Sequence, residues 1–170
     1  FSDGGKAVRF DEKDVRSMGR LARGVRGMAL DPSQSVIAML VAEDESQSVL
    51  AATENGYGKR TSIVEYTRHG RGTKGMIAIQ QSERNGKVVA ATLVRPDDEI
   101  MLITDSGVLV RTRVAEIREL GRATQGVTLI ALDDGARLTG LQRIVENDAV
   151  LDAAIADAAG DTPAPDGEGS

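Results

Sequence analysis

The sequence predicts an all-β protein built as a propeller-like array of four-stranded antiparallel blades, and three observations carry that prediction. A block of about 20 residues recurs three times at a constant offset of 51. Short runs rich in Val, Ile, Leu and Thr fill the intervals between blocks. Glycine-containing turn pairs separate the runs, and four-stranded units spaced 40 to 50 residues apart read as blades.

The repeat is visible without any alignment of homologues. GKAVRFDEKDVRSMGRLARG (Gly5 to Gly24) lines up without gaps on GYGKRTSIVEYTRHGRGTKG (Gly56 to Gly75), and the same offset reaches GVLVRTRVAEIRELGRATQG (Gly107 to Gly126). Six slots hold like residues in all three copies: Gly5/Gly56/Gly107, Arg9/Arg60/Arg111, Asp14/Glu65/Glu116, Gly19/Gly70/Gly121, Arg20/Arg71/Arg122 and Gly24/Gly75/Gly126. The first copy carries three extra residues after Gly24, Val25-Arg26-Gly27. The β-type runs are Val36 to Val41, Val49 to Thr53, Val88 to Val94, Ile100 to Thr104, Val127 to Leu132 and Leu138 to Val145. Asn55-Gly56, Asn85-Gly86, Ser106-Gly107 and Asp134-Gly135 mark turns, the Asn-Gly and Asp-Gly pairs being the strongest hairpin signals. The repeats fall near residues 5–55, 56–106 and 107–145, about three blades. Propellers close with roughly four to eight blades, so residues 1–145 read as part of a domain with an open edge.

Composition narrows the function. With no cysteine, the chain offers neither disulfides nor thiolate zinc sites, which fits a reducing cytoplasm. No apolar run approaches the roughly 20 residues of a membrane span, so no membrane role is expected. The chain opens in mid-pattern at Phe1, as a piece of a longer protein would. The net charge of −5 averages two unlike segments: all 21 Lys and Arg lie before Glu146, while seven of the 26 acids lie after Val145. Residues 1–145 therefore carry +2 and residues 146–170 carry −7. This asymmetry suits either a polyanion-binding body with an acidic appendage or a body with a solubilising tail. The tail ends in a Pro, Gly and Asp-rich run too polar to bury. It is expected to be disordered, with at most a weak helix near Ala149 to Ala159 started by Asp148 and stopped by Gly160.

The repeats resemble the C-terminal β-pinwheel of the bacterial DNA gyrase A protein. NGYGKRT (Asn55 to Thr61), VEY (Val64 to Tyr66), TKG (Thr73 to Gly75), ERNG (Glu83 to Gly86), LVRTRVAEI (Leu109 to Ile117), GR-x-TQGV (Gly121 to Val127) and GLQR (Gly140 to Arg143) are similar, in order and spacing, to the last blades of that protein. An acidic tail after Val145 also fits the family. The resemblance implies a module that binds and bends duplex DNA in support of ATP-dependent negative supercoiling. Its implied partners are duplex DNA, the rest of gyrase A and, through it, gyrase B in a heterotetramer. It implies that ATP and magnesium are held elsewhere, that the catalytic tyrosine lies in another domain, and that this segment has no catalytic or metal-binding residues and no cofactor. The family's glutamine, arginine and glycine-rich gyrase box belongs to the first blade and is not found here. Two rivals are the homologous domain of topoisomerase IV and a propeller-like interaction scaffold without a DNA role.

Two basic slots are candidates for phosphate. Arg9, Arg60 and Arg111 are each followed five residues later by Asp14, Glu65 or Glu116, and the spacing predicts structural ion pairs within each blade. Arg20, Arg71 and Arg122 follow a glycine and have no matching acid slot. Arg23, Arg26, Arg68, Lys74 and Arg118 join them in Gly, Ser and Thr-rich loops, and this set of eight is the expected DNA-binding surface, since exposed guanidiniums grip phosphate oxygens with paired hydrogen bonds. The recurring loop glycines read chiefly as positive-φ positions. Tyr57 shares its slot with Lys6 and Val108, so the repeat does not single it out as a nucleophile. Tyr66 shares its slot with Val15 and Ile117 and reads as core, and no catalytic or metal cluster assembles around His69. With two Phe, two Tyr and no Trp, the row of stacking platforms used for single strands is missing, which leaves duplex backbone binding. If the acidic tail competes with DNA for the basic rim, deleting residues 147–170 tightens duplex binding at low salt; a salt-titrated binding assay showing equal affinity would remove the competition.

Overall fold

A computed structural model describes residues 1–145; the acidic tail and its expected helix lie outside the described residues. Among the described residues, nine strands form three antiparallel sheets. β1 (Lys6–Ala7) pairs with β4 (Met76–Ile77). β5 (Val88–Val94), β2 (Ser48–Thr53), β3 (Tyr57–Ser62) and β8 (Val127–Thr128) form a four-stranded sheet in that order. β7 (Leu109–Arg113), β6 (Glu99–Thr104) and β9 (Leu138–Ile144) form the third.

The two short pairings hold the repeats together. β3 belongs to the second repeat and β8 to the third, so the second repeat hands the outer edge of its sheet to a strand from its successor. The pairing of β1 with β4 is the same handover one repeat earlier: Lys6 faces Ile77 and Ala7 faces Met76, as Tyr57 faces Thr128 and Gly58 faces Val127. The flanking hydrogen bonds also repeat. His69 N donates to Arg9 O and Leu120 N to Arg60 O, both at 2.8 Å, while Gly5 O and Gly56 O each accept two amides from the next repeat. Three 3-10 turns among the described residues, Glu12–Asp14, Ile63–Glu65 and Val114–Glu116, recur at the same offset, the last two directly after β3 and β7.

Two of the recurring glycines follow from this crossing of backbones. A Cβ on Gly75 would meet Ala7 O at 2.4 Å, and one on Gly126 would meet Gly58 O at 2.5 Å. Both glycines also have positive φ, +76° and +84°, where a side chain is strained.

β2 is buried over all six residues because the middle blade is covered on both faces. Leu50 and Ala52 join Val94, Ile100, Leu102, Val114, Ile117 and Leu138 in a core against the third blade. Val49 points the other way, with Ala7, Ile63, Tyr66 and Ala78, toward the first. β6 alternates instead, burying Ile100, Leu102 and Thr104 on one face. The β-type run at Val36 to Val41 forms no strand. Only Phe1 and Ser2 lie opposite it, through an isolated bridge of Ser2 with Val36 and the bonds from Ile37 N to Phe1 O and from Phe1 N to Ala38 O. Val36, Met39 and Val41 are left exposed. The run at Val127 to Leu132 is strand only as far as Thr128, where it leaves the edge of β3. The outer edge of β7 has no partner strand among the described residues, and Val108 and Leu109 are exposed beside it.

Two glycine substitutions separate crossing from conformation. Gly107 has φ of +84° but nothing within 4 Å of an added Cβ, so Gly107→Ala should cost only the left-handed backbone penalty of about 1–2 kcal/mol. Gly126→Ala adds a backbone collision and should cost several times more by chemical denaturation of the intact domain; equal losses would show that the crossing is not tight.

Candidate nucleic-acid interface

The Gly-Arg loops follow the 3-10 turns, and the handover anchors the second and third of them on the preceding repeat. Arg71 in the second loop donates from Nε to Asp14 O at 3.0 Å and from Nη1 to Arg26 O at 3.2 Å, and Gly72 N donates to Gly27 O. The extra residues of the first repeat thus supply carbonyls on which the second loop rests. Arg122 in the third loop donates from Nη1 to Ile77 O at 2.6 Å, while its amide donates to Glu65 Oε2 at 2.8 Å. Each loop is therefore tied to the repeat before it.

The eight expected contact residues divide into three groups. Arg20, Arg23, Arg26 and Arg118 are exposed, and their side chains have no hydrogen-bond or ion-pair partner among the described residues. Arg71 and Arg122 are half-buried and anchored to backbone carbonyls, which leaves further N–H groups of each guanidinium unused. Arg68 and Lys74 are exposed but face carboxylates, Asp11 at 3.8 Å and Asp31 at 3.0 Å. Solvent-exposed pairs of this kind are worth little, about 0–1 kcal/mol. A phosphate can therefore compete for those two side chains.

The other arginine slot is structural, but its partners are not the expected ones. Arg9 donates from Nη1 to Ile63 O and Tyr66 O, at 3.0 and 3.1 Å, and from Nη2 to Glu45 at 3.2 Å. Arg60 reaches Glu119 at 3.7 Å, and Arg111 pairs with Glu99 on the neighbouring strand. The expected pairs with Asp14, Glu65 and Glu116 are replaced because those acids close the 3-10 turns and sit beyond the end of the strand that carries the arginine. Glu65 turns toward the next repeat and accepts the Arg122 amide there.

Sequence reasoning missed Lys59. It is only 1% exposed, and its ammonium donates to Gly121 O at 2.7 Å, to Arg122 O and to Thr124 Oγ1 at 3.2 Å. Thr61 Oγ1 adds a bond to Leu120 O. The signal lay in the repeat itself: the same slot holds Val8 and Val110, so a lysine there is out of pattern. Asn85, fully buried, ties the second repeat to the third by donating to Gln80 O and Gln125 O.

The fold and these loops match known proteins. Residues 1–43, 47–95 and 98–145 successively match the family model described as DNA gyrase C-terminal domain, beta-propeller, one match per repeat. The chain belongs to this family. It is 53% identical over 146 residues to the DNA gyrase A protein of Pseudomonas aeruginosa, covering 86% of this chain and 16% of that protein. Against the DNA gyrase A protein of Escherichia coli K12 the identity is 50%, over 86% of this chain and 17% of the relative. The chain thus spans about a sixth of these relatives. Among solved structures, a DNA gyrase A C-terminal domain superposes with a TM-score of 0.78 at 30% identity, over 85% of this chain and 49% of that one. A topoisomerase IV C-terminal domain superposes at 0.83 with 22% identity, over 95% of this chain and 50% of the other, a likeness of fold alone.

Within this gyrase A C-terminal family fold, the remaining candidates have structural surroundings. Tyr66 is buried with its ring edge against Phe1, and burial pushes its phenol upward. Tyr57 lies under the Arg84 guanidinium at 4.6 Å, which with Arg84 hydrogen bonding holds its phenol below the ordinary value. His69 is exposed, and no metal-binding cluster occurs among the described residues. No helix among the described residues is long and apolar enough to cross a membrane.

Lys59 gives the fold a pH dependence. Burial pushes its ammonium down from 10.5 to about 8; the Glu65 carboxylate opposes the shift and the Arg122 guanidinium adds to it. Between about pH 8 and 10.5 the unfolded chain holds a proton that the native site has released, so stability conferred by this site rises with pH across that window. The melting temperature of the native sequence should therefore gain on that of Lys59→Met from pH 8 to 10. A constant difference would mean that Lys59 titrates normally.

Proposed function

We propose that this segment binds duplex DNA along the row of Gly-Arg loops and bends it, as the C-terminal part of a DNA gyrase A protein. One observation carries the proposal: the Gly-Arg loops of the second and third repeats are each anchored on the repeat before, and the loops present guanidiniums, four of which have no partner among the described residues. Backbone neutralisation supplies affinity in this mode, with release of condensed counterions, and sequence preference comes mainly from how readily the duplex bends. Arginines spaced along a curved protein edge gain contacts only if the duplex follows the curve, as in DNA wrapped on histones. The bend would present a second DNA segment to the rest of the enzyme with fixed handedness, supporting ATP-dependent negative supercoiling. Catalytic tyrosine, ATP and magnesium would belong to other parts of gyrase A and to gyrase B, in a cytoplasmic, nucleoid-associated heterotetramer. Identity of 50–53% to gyrase A relatives, against 22% to the topoisomerase IV structure, favours gyrase over the homologous enzyme. The basic loops favour DNA over a protein scaffold.

The test uses the full-length protein. Changing Arg20, Arg23, Arg26 and Arg118 together to Ala should make the slope of log affinity against log salt shallower by about 3.6, from about 0.9 per phosphate contact. Melting temperature should not move, and unrelated duplexes should weaken alike. Arg71→Ala and Arg122→Ala should lower both salt slope and stability, because each also removes inter-repeat hydrogen bonds. A folded quadruple variant with the parental salt slope would return the protein to the scaffold reading.

A further inference from the structure

We propose that Lys59 is a positioning residue for DNA contact: its buried ammonium latches the Gly121–Thr124 loop so that Arg122 is held ready for a phosphate. The corresponding loop of the preceding repeat has no such latch. The proposal rests on the DNA-binding reading above and adds to it a difference in how equivalent loops are held, the preceding one resting on the Asp14, Arg26 and Gly27 carbonyls instead.

The two junctions form a natural comparison. They share register, glycine crossings and flanking backbone bonds, so Val8 and Lys59 occupy the same point of the same architecture. At the second junction Lys59 spans the gap and engages Gly121 O, Arg122 O and Thr124 Oγ1. Glu65 holds the Arg122 amide from the other side, and Thr124 Oγ1 closes back on Gly121 O at 3.0 Å. At the first junction Val8 is too short and apolar to do this. A cavity of about 360 Å³ remains there, lined by Val8, Gly70, Thr73, Gly75 and Met76 among others. Gly70, Arg71 and Thr73 are the counterparts of the three acceptors that hold the Lys59 ammonium.

A buried ammonium without acceptors is costly, and one with three acceptors in fixed places holds those acceptors in turn. Latching therefore removes loop freedom before DNA arrives, so less ordering entropy is lost on contact. Arg71 is held differently, through its own guanidinium bonds to Asp14 O and Arg26 O. Arg122 is held through the backbone of its loop, so its guanidinium is set in place before a phosphate arrives.

The test combines hydrogen exchange and salt-titrated duplex binding in the full-length protein. Lys59→Met should speed exchange of the Leu120 and Arg122 amides roughly tenfold or more, the scale of one lost charge-assisted hydrogen bond. It should also lower the salt slope by about 0.9, as Arg122→Ala does, and the double variant should lower it no further. Unchanged exchange in folded Lys59→Met, or independent addition of its binding effect to that of Arg122→Ala, would overturn the latch. Val8→Lys keeps the question open if Lys59→Met fails to fold: an ammonium entering the first-junction cavity should slow exchange of the His69 and Gly72 amides by a similar factor. No slowing in a folded Val8→Lys protein would also overturn it. An unchanged salt slope in Arg122→Ala would instead defeat the DNA assignment of this loop, while the exchange measurements still decide whether the latch exists.

Discussion

Everything in this molecule hangs on the exchange of one strand edge between successive repeats. A four-stranded blade with unpaired edges would expose rows of N–H and C=O groups to any strand nearby. Here β8 covers β3 and β4 covers β1, so each unit protects its predecessor. The crossing needs backbones nearly in contact, which is why Gly75 and Gly126 are glycines: a Cβ on either would come within 2.4 and 2.5 Å of Ala7 O and Gly58 O. The same crossing brings each Gly-Arg loop onto the turn of the repeat before it. Strand exchange, core formation and placement of the arginines are consequences of one constraint.

How much of this was legible in sequence depends on what the 51-residue offset could reach. It located the repeating blocks and the turns and marked Gly24, Gly75 and Gly126 as positive-φ positions, because those are local and recur; the backbone crossings over Gly75 and Gly126 are not local and were not legible. It overestimated strand at Val36 to Val41, where pairing depends on what lies opposite and only Phe1 and Ser2 do. It misassigned the acids for the same reason. Five residues separate Arg60 from Glu65, but a 3-10 turn lies between them, and Glu65 finds its donor 57 residues later in the Arg122 amide. Partners across repeats leave no short-range spacing to read.

Departures from the repeat carry information that the repeat itself does not. A lysine in a slot otherwise filled by Val8 and Val110 is either an exposed exception or a buried charge with arranged acceptors, and its 1% exposure decides for the second. The three residues inserted after Gly24 work similarly. They break the period, yet Arg26 O and Gly27 O are the acceptors on which Arg71 and Gly72 rest. Near-symmetry fixes the scaffold, and local exceptions tune individual loops on it.

Net charge is a poor guide to what such a surface attracts. Salt at physiological strength screens charges beyond about 8 Å, so an approaching phosphate responds to the groups nearest it. Among the described residues many carboxylates are already engaged: Glu45 with Arg9, Asp44 with Arg95, Asp98 with Arg143, Asp31 with Lys6 and Lys74. Those pairs neutralise themselves. What remains unneutralised on the loops is cationic, at Arg20, Arg23, Arg26 and Arg118, so a chain of net −5 can still present a polyanion with a positive edge. The strand exchange contributes to this segregation at the second junction, where it spends the Glu65 carboxylate on the Arg122 amide instead of on a loop arginine.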